Sequence, residues 1–72
     1  MIHVAILGAG IGREHLAAFR ALKDRFTVRA IVDQDLARVE EIRQAGDGFL
    51  ALTEIDDALA DLQVQVVDIC LP

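Results

Sequence analysis

Gly8-Ala9-Gly10-Ile11-Gly12 stands between a short apolar run and a segment of helical periodicity. Glycines so spaced let the chain turn sharply and let backbone N–H groups approach a pyrophosphate with no Cβ in the way. A helix starting behind them adds unpaired donors and the positive end of its dipole. Asp33 follows 21 positions after Gly12, at the end of a second apolar run. A carboxylate there can accept both hydroxyls of an adenosine ribose and would repel a 2′-phosphate. Gln34 and Asp35 come next rather than an arginine, so the expected cofactor is NAD, with NADP disfavoured.

The spacing is G-x-G-x-G, one residue short of the usual dinucleotide fingerprint G-x-G-x-x-G. Methyltransferases that bind S-adenosylmethionine also show this spacing, but they usually carry a further acid two residues before the first glycine, where this chain has Ile6. The bland reading is that the glycines serve only a tight strand–helix turn and that Asp33 caps the following helix.

Other polar residues read less sharply. His15 falls in the first turns of the helix beside the loop. It reads as a packing or surface histidine, with a cofactor contact or a loop-fixing hydrogen bond as the functional alternative. No acid–base partner for it is visible in the sequence. His3 alternates with apolar neighbours and reads as structural, while Arg13 can face a phosphate or simply be solvated. Asp68 is the odd residue of an apolar run, because an unpaired buried carboxylate is costly. It is expected to face a polar cleft or, in the favoured reading, to pair with a segment outside these residues. Cys70 reads as a small buried hydrophobe. Glu54, Asp56, Asp57 and Asp61 read as a solvated helix face.

The elements that must position these groups follow from periodicity. Residues 2–7 form an apolar run that length and the following glycines assign to a buried strand. Leu16, Phe19 and Leu22 recur at helical spacing between about Gly12 and Asp24. Phe26 to Val32 predicts a second strand, and Leu36, Val39, Ile42 and Ala45 a second helix with Asp35 as N-cap and Gly46 just past its end. Gly48 to Leu52 predicts a third strand. Thr53-Glu54-Ile55-Asp56 resembles a capping box before a helix bearing Ile55, Ala58, Leu59 and Leu62. Val64 to Leu71 predicts a fourth strand stopped by Pro72. The order βαβαβαβ with short connections requires right-handed crossovers and a parallel sheet, so the expected class is α/β with strand order 3-2-1-4. A fourth strand this apolar suits neighbours on both sides, and the residues are expected to be the N-terminal piece of a longer protein.

Composition excludes several classes. The 72 residues are 54% hydrophobic, too apolar for a disordered tail. No window reaches the roughly 18 uninterrupted apolar residues of a membrane span. Seven Lys+Arg against 12 Asp+Glu give a net charge of -5, and without Trp or Tyr a nucleic-acid partner is not expected. One cysteine cannot form an internal disulfide and, with two separated histidines, is not expected to build a zinc site. Met1-Ile2-His3-Val4 lacks the basic start of a signal peptide, so a cytoplasmic location is expected.

The glycine loop with Arg13-Glu14-His15-Leu16, then Ala30-Ile31-Val32-Asp33-Gln34-Asp35, then Val66-Val67-Asp68-Ile69-Cys70-Leu71-Pro72, resembles the start of a Gfo/Idh/MocA-family oxidoreductase. That family places a His three residues after the last glycine, as His15 follows Gly12, an acid at the end of strand two, and a Thr-Pro or similar pair after strand four, here Leu71-Pro72. The resemblance implies that residues 1–72 are the first half of a Rossmann domain, the rest of that domain and a substrate domain lying outside them. It implies NAD held by Gly8, Gly10, Ile11 and Gly12 at the pyrophosphate and by Asp33 at the adenosine ribose. Leu71 and Pro72 would lie near the nicotinamide-side ribose. The family's Glu-Lys-Pro lysine and catalytic histidine have no counterpart here, so neither a catalytic residue nor a metal ligand is assigned. The implied activity is hydride transfer between a nicotinamide cofactor and a small-molecule substrate, a sugar, cyclitol or similar polyol, in a homo-oligomer. The alternatives are the methyltransferase and a non-catalytic, NAD-sensing relative.

Overall fold

The computed structural model describes all 72 residues. Strands β1 (Ile2–Leu7), β2 (Phe26–Val32), β3 (Leu50–Leu52) and β4 (Val66–Ile69) alternate with helices α1 (Ala9–Ala21), α2 (Leu36–Glu41) and α3 (Ile55–Leu59). The sheet is parallel in the expected order β3-β2-β1-β4. All carboxyl ends of the strands therefore lie on one edge, where an open α/β sheet places its ligand.

Alternation along β1 sets two cores. Val4 and Ile6 face α1 and α2, packing with Leu16, Ile31, Val39, Phe49 and Cys70. Ala5 and Leu7 face α3, packing with Ala30, Val32 and Ala58. Ile6, Leu16 and Ile31 are almost completely buried, each such side chain contributing about 1.5–3 kcal/mol. The β1–β2 register slips between Val4 and Ala5, so Val28 pairs with Val4 and Ala30 with Ala5. Arg29, the residue passed over, pairs with Asp61 beyond α3.

Several boundaries differ from expectation, each with a local cause. α1 starts at Ala9 rather than near Gly12, because Gly8, at φ 101°, turns the chain within one residue. α2 ends at Glu41 instead of reaching Ala45. Arg20 of α1 donates to the Ile42 carbonyl at 2.8 Å, and the Asp47 carboxylate accepts the Gln44 N–H at 2.9 Å, so these groups are satisfied outside a helix. Gly46, at φ 92°, serves the turn that follows rather than the helix end. The capping box before α3 does not form: Glu54 is the N-cap and its side chain makes no capping bond. Leu62 lies beyond α3 and is 99% exposed. β3 and β4 are shorter than expected, although the ladder continues past β4 through Gln65 N–H to His3 O and Cys70 N–H to Leu7 O. No helix is long and apolar enough to cross a membrane.

Candidate functional site

The three glycines of the loop do different work. A Cβ on Gly8 would lie 2.7 Å from the Cys70 carbonyl oxygen, and its φ is one that side chains rarely adopt. A Cβ on Gly12 would lie 2.8 Å from Ile6 Cγ2, so Gly12 lets α1 pack closely on β1. Gly10 has no such need: a Cβ there would meet only Arg38 Nη1, at 3.9 Å. A glycine inside a helix costs about 1 kcal/mol relative to alanine, and nothing within the chain explains it at this position. The early third glycine is accommodated by starting the helix one residue after Gly8, and the roles of turn, open approach and close packing are all still filled.

The free donors of the first turn can be counted. An α-helix leaves its first N–H groups without partners in the helix. Gly8 N–H donates to Val32 O at 2.7 Å, and Ala9 N–H to Asp33 Oδ2 at 2.9 Å. Gly10 and Ile11 N–H have no acceptor in the chain. The first turn of α1 carries no acidic side chain to compete for them. Two amides and the positive helix end thus face the cleft above Gly10, where an anion is stabilised.

Asp33 closes this loop. Its Oδ2 accepts from Ala9 N–H and its Oδ1 from Asp35 N–H, both at 2.9 Å. These two amides and, behind them, Arg38 hold its carboxyl below the usual carboxylate range. A carboxylate has about four lone-pair positions, so two remain for hydroxyls of a ligand. Asp33 does not cap α2: Asp35 does, accepting from Ala37 and Arg38 N–H, as the sequence predicted. Arg38 Nη1 lies 4.0 Å from Asp33 Oδ2. The absence of arginine immediately after Asp33 therefore does not leave the site without a cation, because one turn of α2 brings Arg38 back over it.

Gly8, Gly10, Ile11, Asp33, Leu71 and Pro72 line one cleft of about 230 Å³, which Arg38 and Cys70 also border. Gly12 does not reach it. A second hollow of about 530 Å³ adjoins it, sharing Asp33, Arg38, Leu71 and Pro72 and running towards the start of α3. The two form a continuous trough across the carboxyl ends of β1, β2 and β4. The chain matches the family model described as an oxidoreductase family with an NAD-binding Rossmann fold, over residues 2–72.

The chain belongs to the Gfo/Idh/MocA oxidoreductase family.

Its relatives include an inositol 2-dehydrogenase of Arthrobacter sp. (strain FB24), 35% identical over 99% of this chain and 21% of that protein. Another, from Pseudarthrobacter chlorophenolicus, is 33% identical over the same shares. The WlbA dehydrogenase of Chromobacterium violaceum, solved in complex with NADH and UDP-GlcNAcA, superposes with a TM-score of 0.85 at 25% identity, covering 99% of this chain and 21% of its own. The chain thus spans about a fifth of the length of the relatives it matches. Nothing among them favours the methyltransferase reading.

As in other parallel sheets, paired residues share a face, and one such pairing was missed in the sequence. Asp68 pairs in register with Ile6, so it faces α1 rather than awaiting a segment outside these residues. Its Oδ2 lies 2.6 Å from His15 Nδ1, which supplies the partner that His15 lacked in the sequence. Cys70 is buried and free, and its Sγ lies 3.4 Å from the same nitrogen and 3.6 Å from Asp68 Oδ1. Burial, followed by the neighbouring Asp68 carboxylate, pushes the Cys70 thiol up. Counting cysteines and histidines overlooked the carboxylate: three potential ligand atoms lie within 4.8 Å of one another. The signal available was parity, since Asp68 and Cys70 are two apart on a strand and must share a face.

Proposed function

We propose that this chain forms the cofactor-binding part of an NAD-dependent oxidoreductase that transfers hydride between the nicotinamide and a sugar, cyclitol or similar polyol. The observation that carries the proposal is the unpartnered pair of amides on Gly10 and Ile11, beside a glycine whose open side serves no packing purpose. The pyrophosphate would lie over Gly10, within reach of both N–H groups, with Gly8 and Gly12 supporting the loop. Asp33 would accept the adenosine ribose hydroxyls through its two free lone-pair positions while its other two hold the loop shut. Leu71 and Pro72 would border the nicotinamide-side ribose from the opposite wall of the cleft.

When bound, the cofactor supplies the nicotinamide carbon that accepts or donates hydride. These residues orient it and exclude water on one side. The small-molecule substrate, the proton-transferring groups, homo-oligomerisation and a cytoplasmic location belong to the same proposal for the complete protein. A preference for NAD over NADP follows from Asp33, whose carboxylate opposes a 2′-phosphate. Arg38 limits that preference, because it can turn from Asp33 towards a phosphate.

Asp33→Ala tests both statements by calorimetric titration of the purified full chain. NAD affinity is expected to fall about tenfold or more, equivalent to at least about 1.4 kcal/mol, and NADP affinity by much less. Equal losses for both cofactors would remove Asp33 from the ribose. A larger thermal shift with S-adenosylmethionine than with NAD would overturn the oxidoreductase reading.

A further inference from the structure

His15 and Asp68 lie outside the cleft above Gly10 and Cys70 only borders it, yet three separate features of the fold bring them together. The register Ile6 to Asp68 turns Asp68 towards α1, and two residues later Cys70 returns to the same face. His15 lies one helical turn after Gly12, the residue that packs on Ile6, so its ring is directed to the same place.

We propose that His15 Nδ1, the Asp68 carboxylate and Cys70 Sγ form a binding site for a borderline-soft divalent cation, zinc by preference, with a fourth coordination position open to water. Zinc bonds of about 2.3 Å to sulfur and 2.0–2.1 Å to nitrogen or oxygen, at tetrahedral angles, require S···N and S···O edges of about 3.5 Å. The observed edges are 3.4 Å from Cys70 to His15 and 3.6 Å from Cys70 to Asp68. The oxygen near Cys70 is Asp68 Oδ1, whereas His15 is bonded to Oδ2 at 2.6 Å. One ligand atom from each of the three residues lies within 4.8 Å of the others, so a turn of the carboxylate and a swing of the imidazole, opening its edge to about 3.3 Å, complete the site. The His15 side chain is 45% exposed and free to swing by that amount.

The donor set selects the ion. A thiolate ligand disfavours magnesium and calcium, which take oxygen, while imidazole, carboxylate and thiolate together suit zinc. Cys70 forms the floor of the site, and the partly exposed His15 and Asp68 form its mouth. Three protein ligands and one open position make an exchangeable site rather than a closed structural one. Loading releases the Cys70 thiol proton to solvent, and the cation takes the place of the hydrogen bond between His15 Nδ1 and Asp68, the imidazole carrying its N–H on Nε2. The ion would tie α1 to β4 directly behind the phosphate loop, since the carbonyl of Cys70 lies against Gly8.

Cobalt is the probe, because a thiolate–Co²⁺ bond produces a charge-transfer absorption in the near ultraviolet. Titrating Co²⁺ into the purified full chain without nucleotide is expected to produce that band at one ion per chain, with Zn²⁺ displacing it. Cys70→Ser should abolish the band. His15→Ala and Asp68→Asn should each weaken Co²⁺ binding at least about tenfold, since losing even an outer-shell partner costs that much, with the circular dichroism of the fold unchanged. A wild-type protein without the band, a band that survives Cys70→Ser, or equal Co²⁺ affinity in wild type and His15→Ala would overturn the site and leave only a hydrogen-bonded clasp. Should Cys70→Ser fail to fold, the half-exposed His15→Ala decides alone. None of these readouts depends on NAD binding.

Discussion

At the scale of single residues, the glycine loop separates into positions that hold the fold and a position that leaves room. Gly8 combines a positive φ with contact against the Cys70 carbonyl. Gly8→Ala is therefore expected to lower unfolding free energy by about 2 kcal/mol or more, read from urea denaturation. A loss under 0.5 kcal/mol would mean that the loop relaxes in a way this geometry does not allow. Gly12→Ala should also destabilise, through the Ile6 contact. These roles were partly legible in the sequence, because glycines between a strand and a helix imply a tight turn and a close approach. What was not legible is where the helix begins. Local propensity places glycines outside helices, but the acceptor that lets α1 start at Ala9 is Asp33, 24 positions away.

Between elements, carboxylates act as ties. Asp33 joins the end of β2 to the start of α1, and Asp47 joins the α2–β3 connection to Arg20 of α1 at 2.5 Å. Arg20 holds the Asp47 carboxyl below the usual range, and Asp61 is lowered by Gln63 N–H and then Arg29. Such groups bind protons more weakly folded than unfolded. Their stabilisation is full above the unfolded value of about 4 and is lost as pH falls through the lower folded values. Denaturation midpoints should accordingly be flat near neutrality and fall below about pH 4. A midpoint that rises on acidification would contradict these ties. Asp35→Ala should remove the α2 cap and lower stability by about 1 kcal/mol, and an unchanged urea midpoint would show that the cap contributes nothing. The Asp35 cap was legible because it is local. The early end of α2 and the failed capping box were not, since the first depends on Arg20 arriving from another helix and the second on Glu54 rather than Thr53 occupying the cap.

Across the whole molecule, the strand order followed from the βαβαβαβ succession, the short connections and the handedness of parallel crossovers, and the burial of the strands from their apolar runs. Juxtapositions across 53 residues, such as His15 with Asp68, needed the register of β4 against β1. Arg38 reaches the cleft only through the helical turn after Asp35. We propose that Gly10 is a glycine for the sake of a ligand, its own N–H and that of Ile11 meeting the pyrophosphate of NAD. Alanine there fits the fold and can raise stability by up to about 1 kcal/mol, because its Cβ meets only the exposed end of Arg38. The most direct measurement is a calorimetric NAD titration of wild-type and Gly10→Ala full chains, with the Tm of each. The expected result is a Tm at or above wild type and NAD affinity reduced about tenfold or more, at least about 1.4 kcal/mol. Wild-type NAD affinity in a folded Gly10→Ala protein would contradict the placement of the pyrophosphate over this loop.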